Sequence, residues 1–228
     1  MRTPPKARTN DAFTRLDMAA IIATISLLLF LMLPLLANTR ETSLQAVCNN
    51  NLKRIGQAFH MWANDHGDRF PFYVPVQEGG LQGSINPLQA SQIGHQFVVL
   101  SNELGHVSVL NCPADTRPRA RSFNDLLSLS GSTYLSYFLA HGRYGLGSEI
   151  LSGDRNVTGT VLSGPNCTYF QSSSRLPPLT AGWNLALHSG MGHLLLTSGE
   201  VELAGTAGFQ RIASQNYQTN SDIHLLVP

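Results

Sequence analysis

The chain has 228 residues, a formal net charge of +1 and 13% charged residues, so it lacks the basic footprint of a nucleic-acid binder and no nucleic-acid partner is expected. With 43% hydrophobic residues, 20 Gly and 12 Pro, the composition excludes collagen and wholesale disorder, and predicts a loop-rich globular domain of ordinary size. The 3 cysteines are odd in number, which allows at most one intramolecular disulfide.

Residues 1–12 form a short basic leader, with Arg2, Lys6 and Arg8 against Asp11. Lys and Arg beside a first apolar segment hold that end in the cytoplasm, which predicts the C-terminal domain on the other side of the membrane. Met18 to Ala37 carries no charge and is long enough to cross a hydrocarbon core roughly 30 Å thick, so residues 13–37 are expected to be a transmembrane helix. The helical signal then continues. Leu44, Cys48, Leu52, Ile55, Phe59 and Trp62 recur three or four residues apart, drawing one apolar stripe along an amphipathic stalk over 38–67. Phe59 and Trp62 lie on that stripe and are expected in the core. Gly67 offers a left-handed cap and Pro71 a stop soon after.

The head is expected over 68–228. Phe97–Leu100 and Val107–Leu110 read as short strands, or as a short helix followed by a strand. Ser122–Leu129 reads as a helix with Ser122 as N-cap and Asp125 three residues on. Tyr134–Leu139 reads as a strand. Ile150, Leu151 and Ser152 lead into a turn at Gly153, Asp154, Arg155 and Asn156. His193–Thr197 and Glu200–Leu203 flank Ser198-Gly199, a two-residue hairpin signal. Phe209–Gln215 predicts a last helix, and Ile223–Val227 an apolar tail against the core. Residues 77–92 and 163–182, the latter with Pro165, Pro177 and Pro178, read as loops.

Ala12-Phe13-Thr14-Arg15-Leu16-Asp17 followed by the apolar run resembles the start of type IV pilins and type II secretion pseudopilins. In that family a prepilin peptidase cuts after a small residue and before a Phe that is then N-methylated, which places the cut between Ala12 and Phe13. Asp17 stands where the family has a Glu that pairs with a neighbouring subunit's new amino terminus, and Pro34 where it commonly bends the helix. The family's Gly is Ala12 here, and Arg15 puts a charge where the family is apolar. A second resemblance, to the head region of a large group of bacterial pilin-like proteins, runs from Cys48-Asn49-Asn50-Asn51-Leu52-Lys53 through Leu100-Ser101-Asn102-Glu103-Leu104-Gly105 and Cys112-Pro113-Ala114-Asp115. It continues through Ser136-Tyr137-Phe138, Leu151-Ser152-Gly153-Asp154-Arg155-Asn156 and His188-Ser189-Gly190.

Candidate sites are sparse. His188 and His193 are five apart, which does not place both on one helix face, and no Glu stands between them as in a zinc-protease helix. His60 and His66 belong to the stalk and its cap, and hydrogen-bonded or surface roles account for the histidines. Asp65, Asp68 and Asp154 are oxygen donors of the kind Ca²⁺ takes, but their spacing matches no EF-hand loop and turn capping accounts for them, so no cofactor or metal residue is assigned. A Cys48–Cys112 bridge would tie the head to the stalk and leave Cys167 in a loop. The other reading makes Cys48 a small core residue. No nucleophile motif or phosphate-cradling glycine loop is present, and no enzymatic activity is expected.

The expected fold is α+β: a long N-terminal transmembrane and stalk helix packed against a small antiparallel sheet with extended loops, as in pilins. The resemblance implies a structural filament subunit held in the bacterial inner membrane before assembly, with prepilin peptidase, the membrane and other pilin-like subunits as partners. The alternative is an uncleaved, signal-anchored protein outside the cytoplasm that binds a ligand or partner.

Overall fold

The computed structural model describes residues 14–82, 92–128, 130–141, 150–158, 161–162, 168–170, 182–216 and 223–228. Ala12, Phe13, Cys167 and the three prolines of the second expected loop lie outside these, as does the side chain of Pro34. The chain divides into two units, Met1–Thr42 and Ser43–Pro228. Helix α1, Arg15–Asp65, contributes to both.

In the first unit, Thr14 and Asp17 start α1 as a capping box. The Thr14 N–H and hydroxyl donate to Asp17 Oδ2 at 2.9 and 2.8 Å, and the Asp17 N–H donates to Thr14 Oγ1 at 3.3 Å. Arg15–Met32 is long and apolar enough to cross a membrane, judged by length and composition, and none of it is buried. Leu16 is 80% exposed and Phe30 71%.

In the second unit, the α1 stripe is core. Cys48, Leu52, Ile55 and Phe59 are fully buried and Trp62 nearly so, while Leu44 is half-buried. Fully burying Leu52, Ile55 and Phe59 contributes roughly 1.5–3 kcal/mol each. Gly56 lets the helix approach the sheet closely, because a Cβ there would lie 2.9 Å from Leu195 Cδ1. The helix ends as its glycine predicts: Gly67 is left-handed (φ 68°), and the Asp68 N–H reaches back to the Ala63 carbonyl at 2.9 Å.

Beyond it lie α2 (Ile93–Val98), α3 (Ser101–Leu104), β1 (Tyr137–His141), β2 (Ile150–Asp154), β3 (Val157–Thr158), β4 (Val161–Leu162) and β5 (Thr168–Phe170). They are followed by β6 (Gly182–Trp183), β7 (Gly192–Leu196), β8 (Val201–Ala204), α4 (Thr206–Asn216) and β9 (Ile223–Leu226). Seven strands pair antiparallel in the order β4-β5-β9-β1-β2-β7-β8, and β3 pairs with β6. The architecture is thus α+β, with an apolar N-terminal helix and a small antiparallel sheet.

The sheet is covered on both faces. Leu139, Leu151, Leu195 and Leu226 join the α1 stripe in one core, and Phe138, Ala140, Leu194, Leu196 and Leu225 join Phe209, Ile212 and Ala213 of α4 in another. This corrects the view of Ile223–Val227 as a tail, since β9 lies inside the sheet between β5 and β1. Other local expectations shift too. Phe97 and Val98 form the end of α2, and Val107–Leu110 is a 3-10 turn. Phe123–Leu127 is a 3-10 segment that does keep the Ser122–Asp125 capping box. The strand expected from Tyr134 begins at Tyr137, and the second expected loop contains β5. The expected two-residue hairpin is instead a four-residue connection between β7 and β8, Thr197 to Glu200. The Leu196 N–H donates to the Glu200 carbonyl at 2.8 Å, and the Gly199 N–H closes onto the Leu196 carbonyl at 2.9 Å with Gly199 left-handed (φ 88°).

Candidate functional site

Five of the motif blocks scattered through the head meet in one buried polar cluster, while Leu100 and Leu104 of the remaining block lie in the apolar core. From α1 come Cys48 and, one turn on, Asn51. Cys48 is joined to Cys112 by a disulfide with Cα atoms 5.2 Å apart. The Asn51 amide donates to the Asn111 carbonyl at 3.1 Å and to the Tyr137 hydroxyl at 3.3 Å. Tyr137 opens β1 and pairs across the sheet with Asp154 at the end of β2. Burial first, and then the Asp154 carboxylate, push the Tyr137 phenol far above its usual range, which keeps it neutral.

Asp154 is the centre. It is fully buried at the point where the β2–β7 ladder ends, and its Oδ2 takes over the ladder's role. The His193 N–H donates to Oδ2 at 2.7 Å, and His193 Nδ1 lies 2.8 Å from the same atom. An ionised Asp154 would accept from Nδ1–H in this contact, and an ion bound at Nδ1 would take the place of that proton. His188 Nε2 is 3.6 Å from Asp154 Oδ2 and 3.4 Å from Cys112 Sγ. The rings of His188 and His193 meet edge to face, with centroids 5.0 Å apart.

The backbone is bent to deliver His188. His188, Ser189 and Gly190 are consecutive left-handed residues, with φ of 49°, 55° and 84°. For the two with a Cβ this costs roughly 1–2 kcal/mol each. Asn156 holds the turn from below: its amide nitrogen lies 3.0, 3.2 and 2.9 Å from the carbonyls of Asn184, Leu187 and Met191. Next to it, Arg155 grips Asp115 in a fork, Nε to Oδ2 at 2.7 Å and Nη2 to Oδ1 at 2.6 Å. Asp115 is completely covered. The cluster therefore pins α1, the Cys112 turn, β1, β2, β7 and the His188 turn to one another.

The sequence-level candidates fall into three groups. Cys48 and Cys112 lie in the cluster. Asp17 is exposed on the first turn of α1, bonded to Thr14, and Pro34 falls within the bounds of α1. Ala12 and Phe13 lie outside the described residues. Asp65 and Asp68 are exposed at the end of α1 whereas Asp154 is buried in the cluster, so these carboxylates form no common site. What sequence reasoning missed is the meeting of Asp154, His188 and His193. The signal was there: His188 and Asp154 both stand in quoted motif blocks, and His193 opens the apolar run of β7. A helix-face test of the two histidines looks for the wrong geometry, because one sits on a left-handed turn and the other on a strand.

No protein-family model matches the chain, and comparison with curated proteins and with solved structures gives no match. Its own fold and site define its class: an α+β head carrying a buried disulfide–His–Asp cluster, with an apolar N-terminal helix.

Proposed function

We propose that this chain is a structural subunit of the pilin or pseudopilin kind, anchored in the inner membrane by α1 before assembly into a type IV pilus or type II secretion-type filament. The observation that carries this is the exposed apolar segment Arg15–Met32, in a helix whose later residues are built into the core of an α+β head. Such a segment is stable in lipid. In a filament, the same side chains exchange lipid contacts for packing against copies of themselves. The basic leader stays cytoplasmic, prepilin peptidase cuts between Ala12 and Phe13, and the head faces outward. Asp17 then offsets the charge of the new amino terminus at Phe13.

One observation favours a second reading, an uncleaved signal anchor carrying a ligand- or partner-binding head. The Asp17 carboxylate is engaged with Thr14 in capping its own helix, and a locally satisfied carboxylate has less need of a neighbour's amino group. Intact-mass analysis of the membrane-extracted protein separates the two. A chain beginning at N-methylated Phe13 supports the filament subunit, and a chain beginning at Met1 supports the anchor.

A further inference from the structure

We propose that Asp154, His188 and His193 form a binding site for a divalent first-row metal of the Zn²⁺ class, built into the head and independent of the fate of the N-terminus. One ligand atom from each of the three lies within 4.8 Å of the others, and all three side chains are buried. Donors bound to one ion at about 2.0–2.2 Å lie no farther apart than twice that length, so only a small contraction brings the set into range. Two imidazoles and a carboxylate suit Zn²⁺ and its neighbours better than Ca²⁺ or Mg²⁺, which take oxygen donors.

Two further observations point to a ligand. Among the described residues, Asp154 Oδ1 has no hydrogen-bond partner although it is fully buried, an expensive state for a carboxylate oxygen. The left-handed backbone at His188 and Ser189 is the kind of local strain that persists where a side chain must be aimed. Buried charge makes the same demand. A carboxylate between two imidazoles needs a positive partner, and a dication supplies it. The sulfur of Cys112 lies beside His188, but as half of a disulfide it lacks the thiolate charge that makes cysteine a strong ligand. Sites with three protein donors take a water as the fourth.

The test uses the full chain, expressed in Zn²⁺-supplemented medium and extracted in detergent without chelator. Elemental analysis should find Zn²⁺ equimolar with the chain. Stripping with dipicolinate should lower the melting temperature, and returning Zn²⁺ should restore it. Folded Asp154→Asn and His188→Ala variants should bind at least about a hundredfold more weakly. If they do not fold, X-ray absorption of the wild type decides, with a shell of nitrogen and oxygen expected. Metal-free protein whose melting temperature ignores Zn²⁺, or folded variants that keep their metal, would overturn the proposal. So would sulfur in the shell, which would move the ion to Cys48, Cys112 and His188 in a reduced head.

Discussion

Asp115 is a carboxylate whose charge burial opposes and its hydrogen bonds restore. Burial raises its pKa, but hydrogen bonds from the Arg155 guanidinium, the Ser136 hydroxyl and the Arg117 N–H outweigh it and hold the group below the usual carboxylate range. A carboxylate depressed in the folded state stabilises the fold above its unfolded pKa of about 3.9, and that contribution disappears as pH falls through the lower folded value. Replacing Asp115 with Asn leaves Arg155 half-enclosed without its partner. The expected loss is about 3–5 kcal/mol near neutral pH, with a shallower decline of stability in acid than in the wild type. Denaturant titrations at neutral and acidic pH check both. Gly199 is a second single-residue test. Its left-handed φ of 88° closes the β7–β8 loop, and Gly199→Ala should cost about 1 kcal/mol by the same titration.

Between elements, the head depends on α1 beneath one sheet face and α4 over the other. Phe209 is fully buried in the second core, 4.9 Å from the Trp183 ring between centroids. Phe209→Ala should cost about 3–5 kcal/mol and loosen α4 first, seen as faster amide exchange in that helix than in β1. The disulfide fastens α1 from the other side. Its cysteines are 64 residues apart, so in the chain-entropy account replacing both with Ser lowers stability by about 4 kcal/mol, measured against denaturant. At this level the sequence was legible where burial is one-sided. The α1 stripe from Cys48 to Trp62 repeats every three or four residues because only one face of that helix is covered. Strand β9 was not legible, because Ile-His-Leu-Leu shows no apolar–polar alternation: its neighbours Leu225 and Leu226 go into opposite cores. The cluster was legible only in fragments. Asp154 looked like turn chemistry, and its contacts with His188 and His193 depend on a left-handed turn and a strand pairing that no local pattern announces.

For the whole molecule, the question is whether the exposed apolar surface of Arg15–Met32 meets lipid or other copies of itself. In a filament, that surface is buried against other copies and the heads are displayed outside. In a simple anchor it stays in lipid and each chain stands alone. Cysteines introduced at Ile21 and Phe30, both exposed and, nine residues apart, on opposite sides of the helix, report on this directly in cells treated with a membrane-permeant thiol crosslinker. A filament subunit should give a ladder of dimers, trimers and longer chains, recovered in the sheared surface fraction. Monomer alone, confined to the membrane fraction, would contradict assembly through α1.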